Sequence, residues 1–329
     1  MLQVSRRLVL IALAALLWVV ACSPQSTPPD SATQPLRTGT GIYPGNAGHY
    51  VAADQGLFNE EGVNVENFVF QNLGDGITAF LTNKVDVLWA SSSDAVQMSN
   101  EDPSVKIFYL ISYSDGGDGI LGRNINRPED LRGKTIARED LLFVNVLLRA
   151  YLQQGGLTEK DVVLRNMTAA DAATAFASKQ VDAAVSYGPW LANAAEVGGG
   201  EIIFSSKDTN LIADVLITRQ TVIEQRAADL QAYLRAIDQG VERVRSGDEE
   251  ALSSVADALG ITLEESKQQL DWVRFLNIEE NKRVAFEPNN PDSLVTNLQF
   301  TAQAAYDLDI TPQQLEASFL YDDSVVKSL

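Results

Sequence analysis

The chain of 329 residues is poor in the groups that most site chemistries need. It holds one cysteine, Cys22, and one histidine, His49. A lone cysteine excludes a disulfide framework and a cysteine-based metal cluster. A lone histidine excludes a His-rich metal centre and leaves a single imidazole for acid–base work. Positive charge is also scarce. Lys and Arg number 25 against 44 Asp and Glu, a formal net charge of −19. Phosphate backbones are gripped by Lys/Arg footprints, so nucleic acid is excluded as a partner. The apolar run Leu8–Ala21 has 14 residues, short of the roughly 17–25 that a spanning helix needs. With 45% hydrophobic residues, bulk disorder is excluded. The length exceeds one domain of about 100–150 residues, which predicts two lobes.

What stands at the N-terminus reads as an address. Arg6 and Arg7 precede the apolar run, which ends Val19-Val20-Ala21-Cys22. A basic start, an apolar middle and a small residue at the end describe a secretory signal over 1–21. The ending resembles a bacterial lipobox, with Val19 where that box usually has Leu. Cleavage before Cys22 and lipidation of Cys22 are expected; a plain signal with an incidental cysteine is the alternative. Residues 22–35, rich in Pro, Ser and Thr, read as a disordered tether. Loss of the signal leaves 23 bases against 44 acids, a net charge of −21. Such a chain is expected outside the cytoplasm, in the periplasm or at the cell surface, held to the membrane by lipid.

From Leu36 the pattern alternates. Strands are predicted over 36–43, 63–70, 86–90, 105–112, 134–138, 161–166 and 182–186. Helices are predicted over 47–58, 73–83, 94–100, 142–154 and 170–179. Alternation of this kind implies βαβ units and parallel sheets, an α/β fold. Beyond Thr221 the chain reads as almost all helix. Thr262-Leu-Glu-Glu265 and Thr311-Pro-Gln-Gln314 are capping-box patterns. The acidic run Asp248-Glu249-Glu250 is expected at a helix start or on a solvated face.

One internal echo outweighs any single residue. Ala79-Phe80-Leu-Thr-Asn-Lys-Val85-Asp86-Val87 recurs 96 residues later as Ala175-Phe176-Ala-Ser-Lys-Gln-Val181-Asp182-Ala183, with four positions identical. Each copy reads as a helix end, a tight turn and a short apolar strand. The strands open into Ser91-Ser92-Ser93 and Tyr187-Gly188-Pro189-Trp190. Ligands in open α/β sheets sit beyond the carboxyl ends of strands. Two related lobes with equivalent loops therefore suggest one shared cleft.

Three segments carry a family resemblance. Gly41-Ile-Tyr-Pro44 with His49-Tyr-Val-Ala-Ala-Asp-Gln-Gly-Leu-Phe58 resembles the opening of solute-binding proteins of nitrate/sulfonate/taurine ABC importers. That family includes pyrimidine-precursor binders of the thiamine route. Arg127-Pro-Glu-Asp-Leu-Arg-Gly-Lys-Thr-Ile-Ala137 is similar to the start of its second lobe, and Ser114-Asp-Gly-Gly-Asp118 to its crossover. The resemblance covers roughly residues 36–325. It implies a type II periplasmic-binding-protein fold, two α/β lobes with a hinge and a helical C-terminal tail. The lobes would be 36–118 with 214–329, and 119–213. It implies delivery of a small organic nitrogen- or sulfur-containing solute to an ABC permease by lobe closure, with no cofactor and no chemistry, by a monomer.

Ten residues are expected on the ligand. Tyr43 ends the first strand and offers an aromatic wall with a hydroxyl. Ser91 and Ser93 open a helix, where hydroxyls and free N–H groups hold polar atoms. Ser114 and Asp118 flank the hinge glycines Gly116 and Gly117. Glu139 and Asp140 start a helix after Arg138, where the dipole favours carboxylates in any case. Tyr187 and Trp190 present aromatic faces at a strand exit. Asp214 lies in the return strand. This set is acidic and aromatic, with Arg138 the only nearby base, and leans toward an amine-bearing or heteroaromatic solute. His49 reads as a wall or cap residue rather than a base.

Other classes fit less well. Gly198-Gly199-Gly200 lacks the Lys-Ser/Thr of a phosphate loop and precedes a strand. A hydrolase would need a Ser or Cys nucleophile beside a partnered His. The pyrimidine synthases of thiamine biosynthesis, similar in fold, carry a Cys-rich motif that this chain lacks. A ligand-sensing lipoprotein without transport remains as the alternative.

Overall fold

The computed structural model describes residues 34–71 and 73–329. The expected signal peptide, Cys22 and all of the tether before Gln34 lie outside the described residues. Among the described residues, eleven strands form two sheets. The first runs β11-β4-β10-β3-β1-β2, with β1 Leu36–Thr40, β2 Val65–Val69, β3 Val87–Ser91, β4 Val105–Ser114, β10 Ala213–Arg219 and β11 Val273–Phe275. The second runs β7-β6-β8-β5-β9, with β5 Asp118–Gly122, β6 Thr135–Arg138, β7 Val163–Asn166, β8 Ala183–Tyr187 and β9 Glu201–Ser205. The chain crosses between the sheets at 115–117 and again at 206–212.

The sheets are built alike, and the echo shows why. In the first, β1 pairs in parallel with β2 and β3, and β10 closes antiparallel on β3. In the second, β6 pairs in parallel with β7 and β8, and β5 closes antiparallel on β8. Asp86 Oδ2 accepts the backbone N–H of Arg37 at 3.0 Å, and Asp182 Oδ2 accepts that of Thr135 at 2.9 Å. Asn83 and Lys179 both turn through positive φ, 59° and 63°. Arg219 lies over the Phe80 ring at 4.2 Å and donates to the Phe80 carbonyl; Arg123 does the same at Phe176, at 4.4 Å. The matched residues thus lock helix to strand in both lobes, which fixes where β3 and β8 begin.

The elements form as the pattern requires, with instructive exceptions. Helix 47–58 breaks at Gly56, whose φ of 75° a helix cannot hold, into Ala47–Asp54 and Leu57–Glu60. Glu139 and Asp140 do not start the next helix. It runs Leu142–Gln154 with extended Leu141 as its N-cap, since Leu142 and Val146 pack into the first lobe's core. Gly188-Pro189-Trp190 is the first turn of helix Gly188–Val197 rather than a loop, Pro suiting the N-terminal turn. The Thr262 box forms, with the Glu265 carboxylate accepting Thr262 N–H at 2.9 Å. Thr311 caps no helix. The chain instead returns to β4, where Ile107 N–H donates to Leu320 O at 2.8 Å. Tertiary pairing overrode the local signal there. Strand β11 was also hidden in a region that read as helix. Asp248 caps the helix Glu249–Leu259, as the acidic run suggested.

Helix Ala47–Asp54 sets the position of the Tyr43–Asn46 turn and packs against helix Ala227–Arg245 through glycines. A Cβ on Gly240 would stand 2.3 Å from the Gly48 carbonyl oxygen. Gly240→Ala is therefore expected to destabilise by about 1–3 kcal/mol through overpacking, read as a lowered midpoint in urea.

Candidate functional site

The carboxyl ends of β1, β3 and β8 face one cavity of about 450 Å³. Its lining comes from both sheets: Tyr43, Ala90 and Ser91 from the first, Asp118, Tyr187, Gly188 and Trp190 from the second. Sequence reasoning required this meeting of the loops after Ala90 and Ser186.

Six of the ten expected residues line the cavity: Tyr43, Ser91, Asp118, Tyr187, Trp190 and Asp214. The other four do not. Ser93 is buried in the first helical turn after Ser91. Ser114 is buried behind Asp118, and its hydroxyl donates to Asp118 Oδ2 at 2.6 Å. Glu139 is occupied within its own lobe, where Oε2 accepts the Tyr187 hydroxyl at 2.9 Å. Asp140 pairs with Arg138 at 2.7 Å, and neither stands among the cavity's described lining residues. Each is a correction to the expectation. For Ser114, Glu139 and Asp140 a nearer partner inside the protein holds the polar group, and Ser93 is simply buried.

Sequence reasoning missed several wall residues. Phe70, Trp89, Phe143 and Trp272 add apolar surface, and Gln269 and Asp94 add polar atoms. Trp272 and Gln269 come from the C-terminal segment, and no local pattern marks them. Asp94 hides inside a capping box, its Oδ2 accepting Ser91 N–H at 2.9 Å.

The electrostatics are one-sided. Asp94, Asp118 and Asp214 line the cavity, and no Lys, Arg or His stands among its described lining residues. Each carboxylate takes one serine hydroxyl: Ser91 on Asp94 at 2.6 Å, Ser114 on Asp118 at 2.6 Å, Ser112 on Asp214 at 2.8 Å. Burial pushes Asp118 up to about 6, against the Ser114 hydrogen bond. Burial pushes Asp214 up to about 7, aided by the charges of Asp118 and Asp94 and opposed by hydrogen bonds from Ser112 and Tyr43. Burial also raises Asp94. Tyr43 is held well above its ordinary value by burial and by Asp214 and Asp118. No group of three His, Cys, Asp or Glu among the described residues is arranged to hold a metal ion. The arrangement is a desolvated acidic floor lacking its counter-charge.

Aromatic rings surround it. Tyr187 meets Trp190 edge-on at 5.7 Å and Phe143 at 5.6 Å. His49 is apart from the cavity. Its Nδ1 lies 2.9 Å from the Tyr233 hydroxyl, and burial lowers it to about 3, so it stays neutral. Behind the floor, the Ser206 hydroxyl accepts Gly116 N–H at 2.9 Å and meets Ser114 Oγ at 2.8 Å. That contact ties the two chain crossings together beneath Asp118.

The family model described as NMT1/THI5 like matches residues 43–251. The chain belongs to the NMT1/THI5-like family. Among curated proteins it is 26% identical over 173 residues to an aliphatic sulfonates-binding protein of Escherichia coli strain K12. That match spans 52% of this chain and 52% of the relative, so the chain aligns with about half of that protein's length. The crystal structure of the periplasmic aliphatic sulphonate binding protein SsuA from Escherichia coli superposes with a TM-score of 0.73 at 19% identity, over 87% of this chain and 91% of that one. The desulfurization enzyme DSZB superposes at 0.61 and 17% identity, over 90% and 98%. These likenesses show the expected fold, two α/β lobes of the type II periplasmic-binding kind. Within the NMT1/THI5-like family that fold serves as the frame; the lining Gln269 and Trp272 lie beyond the matched residues 43–251.

Proposed function

We propose that this NMT1/THI5-like chain is a solute-binding protein that captures a small organic cation and delivers it to an ABC permease. The solute carries an amine or a protonated nitrogen heterocycle. The mature monomer is held by lipid on Cys22 at the outer face of the membrane, and no described helix is long and apolar enough to cross one. Closure of the two lobes removes the solute from water and brings polar groups of both onto it.

One observation carries the reading: three carboxylates share a cavity with no basic side chain among its described lining residues. A buried charge without a partner is costly, and a cationic solute supplies the partner. A sulfonate, the ligand class in the relatives' names, would meet like charge here. DSZB's fold is shared, yet this cleft holds no imidazole or thiol among its described lining, so binding without chemistry is the reading we favour.

A thermal-shift screen of amines, N-heterocycles, alkanesulfonates and nitrate tests it. A ligand bound only by the folded state raises the melting temperature. Stabilisation by amines or heterocycles alone supports the proposal, and stabilisation by the anions alone refutes it. Trp190→Ala is expected to weaken the ligand so found about two- to thirtyfold by isothermal titration, since an aromatic face over a cation contributes about 0.5–2 kcal/mol. Its own melting temperature should hardly move, because the ring is 43% exposed.

A further inference from the structure

The acidic floor explains one end of the cleft; its mouth has a different chemistry. Three large hydrophobic side chains left exposed stand on this opening: Ile42 at 48%, Leu73 at 37% and Trp190 at 43%. Single exposed hydrophobics are ordinary. Convergence of several on the rim of one cavity marks an interaction surface. Ile42 follows β1 and Leu73 opens the helix Leu73–Leu81 in the first lobe, while Trp190 belongs to the second. Half-buried Phe70 and Phe143 carry the apolar wall inward from either side. The polar end is as well defined, since Ser112 and Ser114 fix one oxygen each of Asp214 and Asp118.

Resting on the cation reading above, we infer that the site takes an amphiphilic ammonium ion: a charged nitrogen at the carboxylates, and a hydrocarbon chain or ring that leaves along the apolar rim. A compact polar amine would fill only part of the 450 Å³ and leave the rim in water. A tail of several carbons would cover Ile42, Leu73 and Trp190, and lobe closure would bury it further. The rim thus sets specificity by length, and the floor sets it by charge.

Isothermal titration of the purified protein at pH 8 with ethyl-, butyl-, hexyl- and octylammonium chloride tests the inference, with sodium alkanesulfonates of equal length alongside. Affinity should rise about fourfold per methylene through hexylammonium, as for a methylene leaving water, and the sulfonates should not bind. Ammonium binding that ignores chain length would overturn the inference and leave the cation reading standing. Failure of every ammonium ion would sink both. An equal rise for the sulfonates would show tails adhering regardless of the head, which also overturns it. In the double variant Ile42→Ser, Leu73→Ser, whose side chains are exposed, the gain per methylene should fall below twofold; an unchanged gain would place the tail elsewhere.

Discussion

At pH 8, Asp214→Asn is expected to weaken capture of an organic ammonium ion by about thirtyfold or more and to raise the melting temperature of the free protein by a few degrees. The opposed effects share one cause. Asp214 lies in β10 beneath the cavity, with Ser112 and Tyr43 as its hydrogen-bond donors and no basic side chain among the described lining residues. Its charged form is penalised by burial first and by Asp118 and Asp94 next. An Asn carbonyl still accepts from Ser112 while carrying no charge. Relief of about 1 kcal/mol moves the melting temperature of a chain this size by a few degrees. The ligand, in contrast, loses a desolvated charge pair, a truncation that costs about 2–5 kcal/mol. Calorimetry and titration on the same variant read both. A variant that binds normally, or one that is strongly destabilised, would show Asp214 to be a framework residue.

Acidification should produce the same pair of effects without mutation. Asp118 at about 6 and Asp214 at about 7 both sit above the ordinary carboxylate value in the folded chain. Between about pH 4 and those values the native state binds more protons than the unfolded state. Stability therefore falls as pH rises through that window, and these two groups favour the free protein more at pH 5 than at pH 8. Cation binding runs the other way, because it requires the ionised carboxylates. Affinity should drop at least tenfold from pH 8 to pH 5, with proton release on binding at pH 6.5. Buffers of different ionisation heat read that release by calorimetry. In Asp214→Asn the remaining pH dependence should follow Asp118 alone and shift downward. A flat affinity profile would remove both carboxylates from the ligand.

The fold was legible because it is written twice. Phe80 with Asp86 and Phe176 with Asp182 do the same local work, helix end to strand start, and such short-range devices show in a sequence. The cleft was legible where its residues sit at strand ends, as Tyr43, Ser91, Tyr187 and Asp214 do. It was illegible where tertiary contacts decided. Glu139 and Asp140 carry the right charge at a suitable position, yet the Tyr187 hydroxyl and Arg138 occupy them. Asp94 escaped notice because it closes the capping box of Ser91, a local helix-start role, and yet lines the cavity. Trp272 reaches the cleft from a segment that read as plain helix and contains β11, and only long-range pairing with β4 puts it there.

The central claim is that the cleft selects its guest by positive charge. Isothermal titration at pH 8 with 2-phenylethylammonium and 2-phenylethanesulfonate, alike in size and ring, tests it most directly. The account predicts saturable one-site binding of the ammonium ion and none of the sulfonate. Saturable binding of the sulfonate, with the ammonium ion silent, would contradict it.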